Sequence, residues 1–236
     1  MQRILSYVRR ACDDYNMIND GDKIAVCVSG GKDSMMLLLS LIALKRFYPK
    51  QFSIVVIALD PRFKGIETDY TPLIEICEKN GIELIIKRTD IGSIIFEERK
   101  EKSPCSLCAR MRRGALHDAA NEAGCNKLAL GHHYDDVVET FLMNLFSEGR
   151  IGCFSPVTYL SRKDLYMIRP LIYAPEREIS LAAERLSVPI VKSRCPADGN
   201  TLRQSVKERI ALMEKEKSDV KEKIFGALKR SGIDGW

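Results

Sequence analysis

The hexapeptide SGGKDS at residues 29–34 is the feature that most constrains the fold of this chain. It follows a short β-rich run, residues 23–28 (KIAVCV), and precedes the segment MMLLLSLIALKRF, which is apolar and long enough for a buried helix. A strand, a tight glycine turn and a helix in this order place backbone N–H groups and the positive end of a helix dipole around an anion. The loop is not a Walker A motif, because the paired glycines directly precede Lys32. We therefore predict a compact phosphate-binding loop, with a glycine turn that contains a chance lysine as the alternative.

Predicted strands and helices alternate along most of the chain. After the loop the pattern gives the strand FSIVVIAL, a helix from about Thr68 to Asn80, the strand IELIIKR, a helix over 105–124, a strand over 127–130, a helix over 135–146, a hairpin or final strand over 157–171, and a helix over 176–186. Such alternation predicts an α/β fold with a doubly wound, mainly parallel sheet.

Helices are predicted to flank this sheet at both ends of the chain. Residues 1–20 read as an amphipathic N-terminal helix, 21–200 as the α/β domain, and 201–236 as a C-terminal helical extension broken near Ser218-Asp219. No run approaches the roughly 18 apolar residues of a membrane span, and the N-terminus lacks the apolar core of an export signal. We expect a soluble, cytoplasmic protein without a membrane partner, in which the eight cysteines are reduced rather than paired in disulfides.

The net charge of +5 permits nucleic-acid binding without requiring it. Basic residues nevertheless cluster around one cysteine pair: Arg99, Lys100, Lys102, Arg110, Arg112 and Arg113. This cluster suits a phosphate-rich partner, and a merely solvated basic face explains it equally well.

A second polar motif, GHHYDD at residues 131–136, follows the predicted strand at 127–130. Its aspartates fall on the same edge of the sheet as the phosphate loop, where Asp135 and Asp136 are candidate ligands of Mg²⁺ beside a nucleotide. Capping of the next helix is the alternative for either carboxylate. For His132 and His133, a supporting role in the core is at least as well founded as catalysis.

The cysteines divide into candidate ligands and core residues. Cys105 and Cys108 have the spacing of a metal or redox site, and Cys195 lies in a loop marked by proline and glycine. Three cysteines suit an iron–sulfur cluster with one open iron, whereas zinc usually requires a fourth protein ligand. The other five are predicted to be structural: Cys12, Cys27, Cys77, Cys125 and Cys153.

The combination of SGGKDS, CSLCARMRRG, LGHHYDDVVETFLMNLF, IRPL and the later Cys195 resembles the PP-loop ATPases, whose fold is of the adenine nucleotide alpha hydrolase type. Within them it is most similar to the tRNA 2-thiocytidine biosynthesis enzymes and their 2-thiouridine-forming relatives, over roughly residues 20–212. This resemblance implies cleavage of ATP between the α and β phosphates. It also implies that Cys105, Cys108 and Cys195 carry a [4Fe-4S] cluster.

Carried over by position, the resemblance implies three catalytic residues, Lys32, Asp33 and Asp136. The ATP-binding residues that it implies are Ser29, Gly30, Gly31, Lys32, Asp33, Ser34, Ala58, Leu59, Arg112, Gly131 and Asp136. Ala58 and Leu59 end the second strand, where relatives hold the adenine.

The function implied by the resemblance is adenylation of a carbonyl-type oxygen, such as that at C2 of a tRNA cytidine, followed by its replacement with sulfur. ATP, Mg²⁺ and the cluster are the expected cofactors, and tRNA and a sulfur donor (a cysteine desulfurase, a sulfur carrier or free sulfide) the expected partners. The chain departs from the 2-thiouridine relatives by lacking zinc ribbons, and its loop CPADGNTLRQ lacks the second cysteine common in thiocytidine enzymes.

Two alternatives remain open from the sequence. One is a PP-loop enzyme that thiolates or amidates a small metabolite, and the other is an ATP-binding sulfur carrier or sensor without turnover. The sequence also leaves open whether the chain forms a homodimer.

Overall fold

The computed structural model describes residues 1–99, 104–191, 194–196 and 202–236, and six strands in these residues form one sheet. The strands are β1 (Asp22–Val28), β2 (Phe52–Asp60), β3 (Glu83–Arg88), β4 (Lys127–Ala129), β5 (Val157–Leu160) and β6 (Leu165–Ile168). Their order across the sheet is β3-β2-β1-β4-β6-β5, and every neighbouring pair is parallel except the β5–β6 hairpin. The prediction of a mainly parallel α/β sheet is confirmed.

The helices are α1 (Gln2–Asp14), α2 (Lys32–Leu44), α3 (Thr71–Lys79), α4 (Ile91–Ser93), α5 (Pro104–Glu122), α6 (Tyr134–Ser147), α7 (Glu176–Arg185), α8 (Leu202–Glu216) and α9 (Val220–Ser231). A π-helical turn, Ile94–Glu98, extends α4, and 3₁₀ turns occupy Phe63–Gly65 and Ile233–Gly235. The stretch after β3, which the sequence predicted to be irregular, therefore contains helical turns.

Alternate side chains of the strands enter two hydrophobic layers, as the period of two in a β-strand requires. Ile24 and Val26 of β1 belong to the larger layer, which also includes side chains of α1, α2, α3, α6 and α7. Ala25 and Cys27 point the other way, into a smaller layer that α5 closes with Ala119 and its neighbours. Helices thus cover both faces of the sheet.

The terminal helices share the larger core. Ile4 and Val8 of α1 and Phe225 and Leu228 of α9 are buried in it together with the sheet residues. The division into an N-terminal helix, a central domain and a C-terminal extension stays a prediction, and its second boundary lies outside the described residues.

Helix α3 begins three residues later than the predicted Thr68, at Thr71. The backbone N–H and hydroxyl of Thr68 both donate to the carboxylate of Asp60, at 2.9 Å each, and hold this residue in the loop. Polar contacts with the preceding strand therefore override the apolar spacing from which the helix start was predicted.

The chain order of the strands reverses between β1 and β4, since β2 and β3 lie on one side of this pair and β6 and β5 on the other. In open parallel sheets, ligands bind beyond the carboxyl ends of the strands at such a switch point. The hexapeptide follows β1 and the motif at 131–136 follows β4, so both predicted motifs lie there.

Candidate nucleotide and thiol site at the switch point of the sheet

The loop at residues 29–34 requires glycine at position 30. Gly30 has φ +86°, and a Cβ there would lie 2.4 Å from the Cβ of Val191. The backbone N–H of Val191 donates to the carbonyl oxygen of Gly30 at 3.0 Å. The segment that leads to Cys195 is thus fastened directly to the phosphate loop.

The side chain of Ser34 closes the loop. The hydroxyl of Ser34 accepts from the backbone N–H of Ser29 at 3.2 Å and donates to the carbonyl oxygen of Gly31 at 2.9 Å. A Cβ at Gly131 would lie only 3.2 Å from the backbone of Ser34, so the loop after β4 packs on the first turn of α2. The two motifs consequently form one surface.

Lys32 is held by two carboxylates. Its Nζ lies 2.8 Å from Oδ1 of Asp33 and 3.0 Å from Oε1 of Glu176, the first residue of α7. Burial acts to lower the pKa of Lys32, but the contacts with these two carboxylates outweigh it and raise the pKa above its ordinary value. The ammonium stays charged, which suits a phosphate ligand. Sequence reasoning missed Glu176, although its position beside Pro175 at a helix start was visible.

A first cavity, of about 250 Å³, opens beside the loop and is lined by residues that include Ser29, Asp33, Leu59 and Gly131. Leu59 faces this cavity, whereas the preceding Ala58 points to the opposite face of the sheet and packs in the larger core. Of the two residues predicted at the end of β2, the structure therefore brings one to the cavity by its side chain.

Arg112 links three adjoining cavities. It lines the first cavity, a second of about 300 Å³ under α5, and a third of about 390 Å³ that reaches Cys195. Arg110 and Arg113 of the predicted basic cluster are exposed on α5, and Arg99 is exposed before it. Lys100 and Lys102 lie outside the described residues.

The aspartates after β4 are engaged by cations and amides. Asp135 accepts from the backbone N–H of Glu176 at 2.6 Å and pairs with Lys221 at 2.9 Å. Asp136 accepts from the backbone N–H of His133 at 3.0 Å as part of a capping box, and also pairs with Arg203. Asp136 therefore forms the helix cap that was predicted as the alternative to its role as a ligand of Mg²⁺.

His133 brings Asp33 and Asp136 into one place. Its Nε2 lies 3.9 Å from Oδ2 of Asp33 and 3.5 Å from Oδ2 of Asp136. Oδ2 of Asp135 lies 3.9 Å from Nδ1 of the same ring, and this carboxylate also contacts Lys221 of α9 and the start of α7. Oxygen donors suited to Mg²⁺ are thus present on the Nε2 side of His133 from Asp33 and Asp136, and the pair Asp135 and Asp136 stays a prediction.

Two of the candidate thiols are adjacent. Cys108 is buried in a small cluster with Leu59 and Phe63, and Cys195 packs against the same cluster. Burial raises the pKa of the Cys108 thiol, against the opposing positive charge of Arg112 and with added repulsion from Cys195 and Cys105. Cys105 is exposed in the first turn of α5.

These thiols suit an iron–sulfur cluster by their chemistry. Cys195 lines the third cavity and packs against the cluster that contains Cys108, and Cys105 lies three residues before Cys108 in α5. Among the described residues, no three His, Cys, Asp or Glu side chains lie close enough together in this structure to hold a metal ion. Residues 197–201, which continue the Cys195 segment, lie outside the described part. The other five cysteines are buried, as predicted.

In the described residues, no helix is long and apolar enough to cross a membrane.

A parallel α/β sheet with a phosphate loop at its switch point defines a nucleotide-binding protein of the PP-loop class. The family model described as a PP-loop domain matches residues 4–214, and the chain belongs to this family. The prediction from the motifs is thereby confirmed.

Relatives and a solved structure extend the likeness. The chain is 39% identical over 229 residues to a protein of Ralstonia pickettii named tRNA-cytidine(32) 2-sulfurtransferase, covering 96% of this chain and 72% of the relative. A Geobacter sulfurreducens protein of the same name is 39% identical over 230 residues, covering 96% and 89%. The U34-tRNA thiolase NcsA from Methanococcus maripaludis, solved with its [4Fe-4S] cluster, is 27% identical with a TM-score of 0.78, covering 95% of this chain and 77% of the other.

Proposed function

We propose that this chain is an ATP-dependent sulfurtransferase that adenylates the C2 oxygen of a tRNA cytidine and replaces it with sulfur. One observation carries the proposal: Arg112 lies between the phosphate-loop cavity and the thiols Cys108 and Cys195. An activated base and a sulfur source can therefore meet within one site. The names of the relatives support tRNA as the substrate and cytidine 32 as its position.

The nucleotide is held by the phosphate loop. Backbone amides of Gly30 and Gly31, the serine hydroxyls and the Lys32 ammonium bind the pyrophosphate portion of ATP and stabilise the charge that grows on it as it leaves. Asp33 and Asp136 would hold Mg²⁺, which supplies further charge neutralisation at the phosphates. Arg112 lies near the reacting phosphate and offsets its charge.

The reaction has two displacements. The carbonyl oxygen of the base attacks the α-phosphorus of ATP, and pyrophosphate leaves. Sulfide then attacks C2 of the base, the carbon that bears this oxygen, and AMP departs with the former carbonyl oxygen. Adenylation is required because oxide is a poor leaving group, whereas AMP leaves readily. No electrons are gained or lost overall.

Cys105, Cys108 and Cys195 would hold a [4Fe-4S] cluster. Three protein thiolates leave one iron free, and when bound the cluster supplies a site that carries sulfide without releasing it to water. The chain's own contribution is to bring the Cys195 segment to the loop through the Val191–Gly30 hydrogen bond.

The supply of sulfur comes from a cysteine desulfurase, a sulfur carrier or free sulfide, and the reaction takes place in the cytoplasm, where tRNA is found and thiols stay reduced. Formation of a homodimer belongs to the same proposal as an additional expectation.

The test is a reconstituted reaction. Anaerobically purified protein with bound cluster is incubated with unmodified tRNA, ATP, Mg²⁺ and sulfide, and the digested nucleosides are measured by mass spectrometry. We expect 2-thiocytidine together with one AMP and one pyrophosphate per sulfur inserted. Pyrophosphate release without a thiolated nucleoside would favour a small-metabolite substrate, and no pyrophosphate release would favour a non-catalytic carrier.

A further inference from the structure

The second cavity lies between α5 and the ends of β4 and β6, on the face of the sheet opposite α2. It has a volume of about 300 Å³ and shares Arg112 and His132 with the first cavity. A ligand in it would therefore abut the nucleotide without occupying the phosphate loop.

The lining of this cavity is strongly basic. Arg112, Arg113 and Arg169 line it together with His117 and His132, and none of the described residues that line it is acidic. Its remaining walls are mainly apolar and are formed by Leu116, Leu128, Leu130 and Met167.

Arg169 is the most unusual of these residues because it is only 4% exposed and no described carboxylate pairs with it. Its guanidinium donates to the carbonyl oxygen of Ser155, to the hydroxyl of Thr158 at 3.3 Å, and to the sulfur of Met167 at 3.8 Å. The guanidinium also lies over the ring of Phe154, 4.9 Å from its centroid, and its Nε–H has no hydrogen-bond partner in the part of the chain that the structure describes. Burial, together with the like charge of Arg113, lowers the pKa of Arg169 to about 10.

Two further polar atoms in the lining, Nε2 of His117 and Nδ1 of His132, are buried and have no hydrogen-bond partner among the described residues. Burying a charged or polar group costs free energy unless something pairs with it. A guanidinium without a counterion among the described residues therefore indicates an anionic ligand, and each unpaired imidazole nitrogen supplies one further hydrogen bond to it, as donor or acceptor according to the tautomer.

We infer that this cavity receives one pyrimidine nucleotide of the RNA substrate, with its phosphodiester group held by Arg113 and Arg169 and its base between the leucines. The inference rests on the proposed function for the identity of the polymer. The volume exceeds that of an inorganic anion and suits a base with its phosphate. Proteins that read single-stranded RNA in this way hold a splayed base against apolar, aromatic or guanidinium surfaces.

The shared wall gives the pocket its role. Because Arg112 and His132 border both cavities, the nucleotide held under α5 is the one that faces the reacting phosphate of ATP. The pocket thus selects which base is adenylated.

The test measures binding of cytidine 5′-monophosphate by calorimetry at low salt. We expect cytidine 5′-monophosphate to bind, with a dissociation constant that changes by less than about threefold when a non-hydrolysable ATP analogue is already bound. Cytidine and inorganic phosphate should each bind at least about tenfold more weakly. Arg113→Gln should weaken binding about tenfold. The control Arg110→Gln removes another exposed arginine of α5 that lines none of the three cavities, and should stay within about twofold.

Arg169→Lys is expected to weaken binding of the nucleotide at least as much as Arg113→Gln does. A thermal melt shows whether the Arg169→Lys variant folds. If it does not fold, the result for Arg113→Gln alone tests the inference. Four outcomes overturn the inference: no binding, competition by the ATP analogue, equal effects of the two glutamine variants, or phosphate binding as tight as that of the nucleotide, which would mean an adventitious ion only. The proposed function is judged separately, since 2-thiocytidine formation is measured on tRNA.

Discussion

Lys32 and Glu176 form an ion pair of 3.0 Å between Nζ and Oε1, although 144 residues separate them in the sequence. Lys207 of α8 binds the other oxygen of Glu176 at 2.6 Å. The start of α7 is thereby fixed against the phosphate loop, and the loop lysine is oriented by a residue that is distant in the sequence.

The Glu176 carboxyl should make stability depend on pH. Burial acts to raise its pKa, but hydrogen bonds and charge from Lys207 and Lys32 outweigh this and lower the pKa from 4.5 to about 2. Because the pKa of Glu176 is lower in the folded state than in the unfolded state, its ionised carboxylate stabilises the folded protein at pH values above about 4.5. This contribution is lost as the pH falls from about 4.5 to about 2.

Glu176→Gln should therefore lower the free energy of unfolding by about 1 kcal/mol at neutral pH, a modest amount because solvent screens a half-buried pair. Urea titrations across this window should show the difference from wild type shrinking toward zero. The exposed Glu184→Gln, on the same helix, is the control. A difference that does not change with pH would contradict the assignment.

Lys32→Ala should lower the rate of pyrophosphate release on the order of 100-fold, because the positive charge that stabilises the departing phosphates is lost. Circular dichroism should show the fold retained. The control is Lys45→Ala, which removes an exposed lysine just beyond the other end of α2. Near-normal turnover in Lys32→Ala would show that the loop does not act on the phosphates.

Gly30→Ala should destabilise the protein by about 2 kcal/mol, because its positive φ and the approach of Val191 both exclude a side chain. Gly114→Ala is the matched control: Gly114 lies inside α5, a Cβ there meets nothing within 4 Å, and alanine should stabilise the helix by about 0.5–1 kcal/mol. Thermal unfolding measures both, and equal shifts would refute the close contact at Gly30.

The sequence was sufficient for features encoded by local patterns. The strand, glycine loop and helix at 23–44 are contiguous, so apolar periodicity and glycine placement predicted the switch-point site directly. The burial of Cys27 and Cys77 followed in the same way from their positions in a predicted strand and on the apolar face of a predicted helix.

Contacts between distant segments were not predictable. Glu176, Arg203 and Lys221 meet the motifs only after α7, α8 and α9 fold back, and no periodicity encodes such pairing. Whether the side chain of Ala58 or of Leu59 faces the nucleotide depends on which face of the sheet each residue of β2 points to. The strand pattern alone left this undetermined, because the strand is buried on both faces. Arg169 was visible within IRPL, but only the structure shows that it is buried and that no carboxylate of the described residues pairs with it.

Asp136→Asn should reduce turnover on the order of 100-fold and weaken its dependence on Mg²⁺, because an anionic ligand is lost. Stability should fall by no more than about 1 kcal/mol, since the amide oxygen still accepts from the backbone N–H of His133. Magnesium titrations of pyrophosphate release measure the first effect and urea unfolding the second. Unchanged turnover with lowered stability would reduce Asp136 to a helix cap.

The last prediction concerns the thiols, which separate a sulfurtransferase from other adenylating enzymes. Anaerobically purified protein should be brown, with about four iron and four acid-labile sulfide per chain. Cys105→Ala, Cys108→Ala and Cys195→Ala should each remove colour, iron and sulfur transfer, because the cluster loses one of three protein ligands. Cys77→Ala is the control: this thiol is 1% exposed in the larger core, and its loss should leave iron intact and cost about 1 kcal/mol of stability. Colourless protein with one zinc per chain would indicate a structural metal, and active metal-free protein would indicate persulfide chemistry at these cysteines.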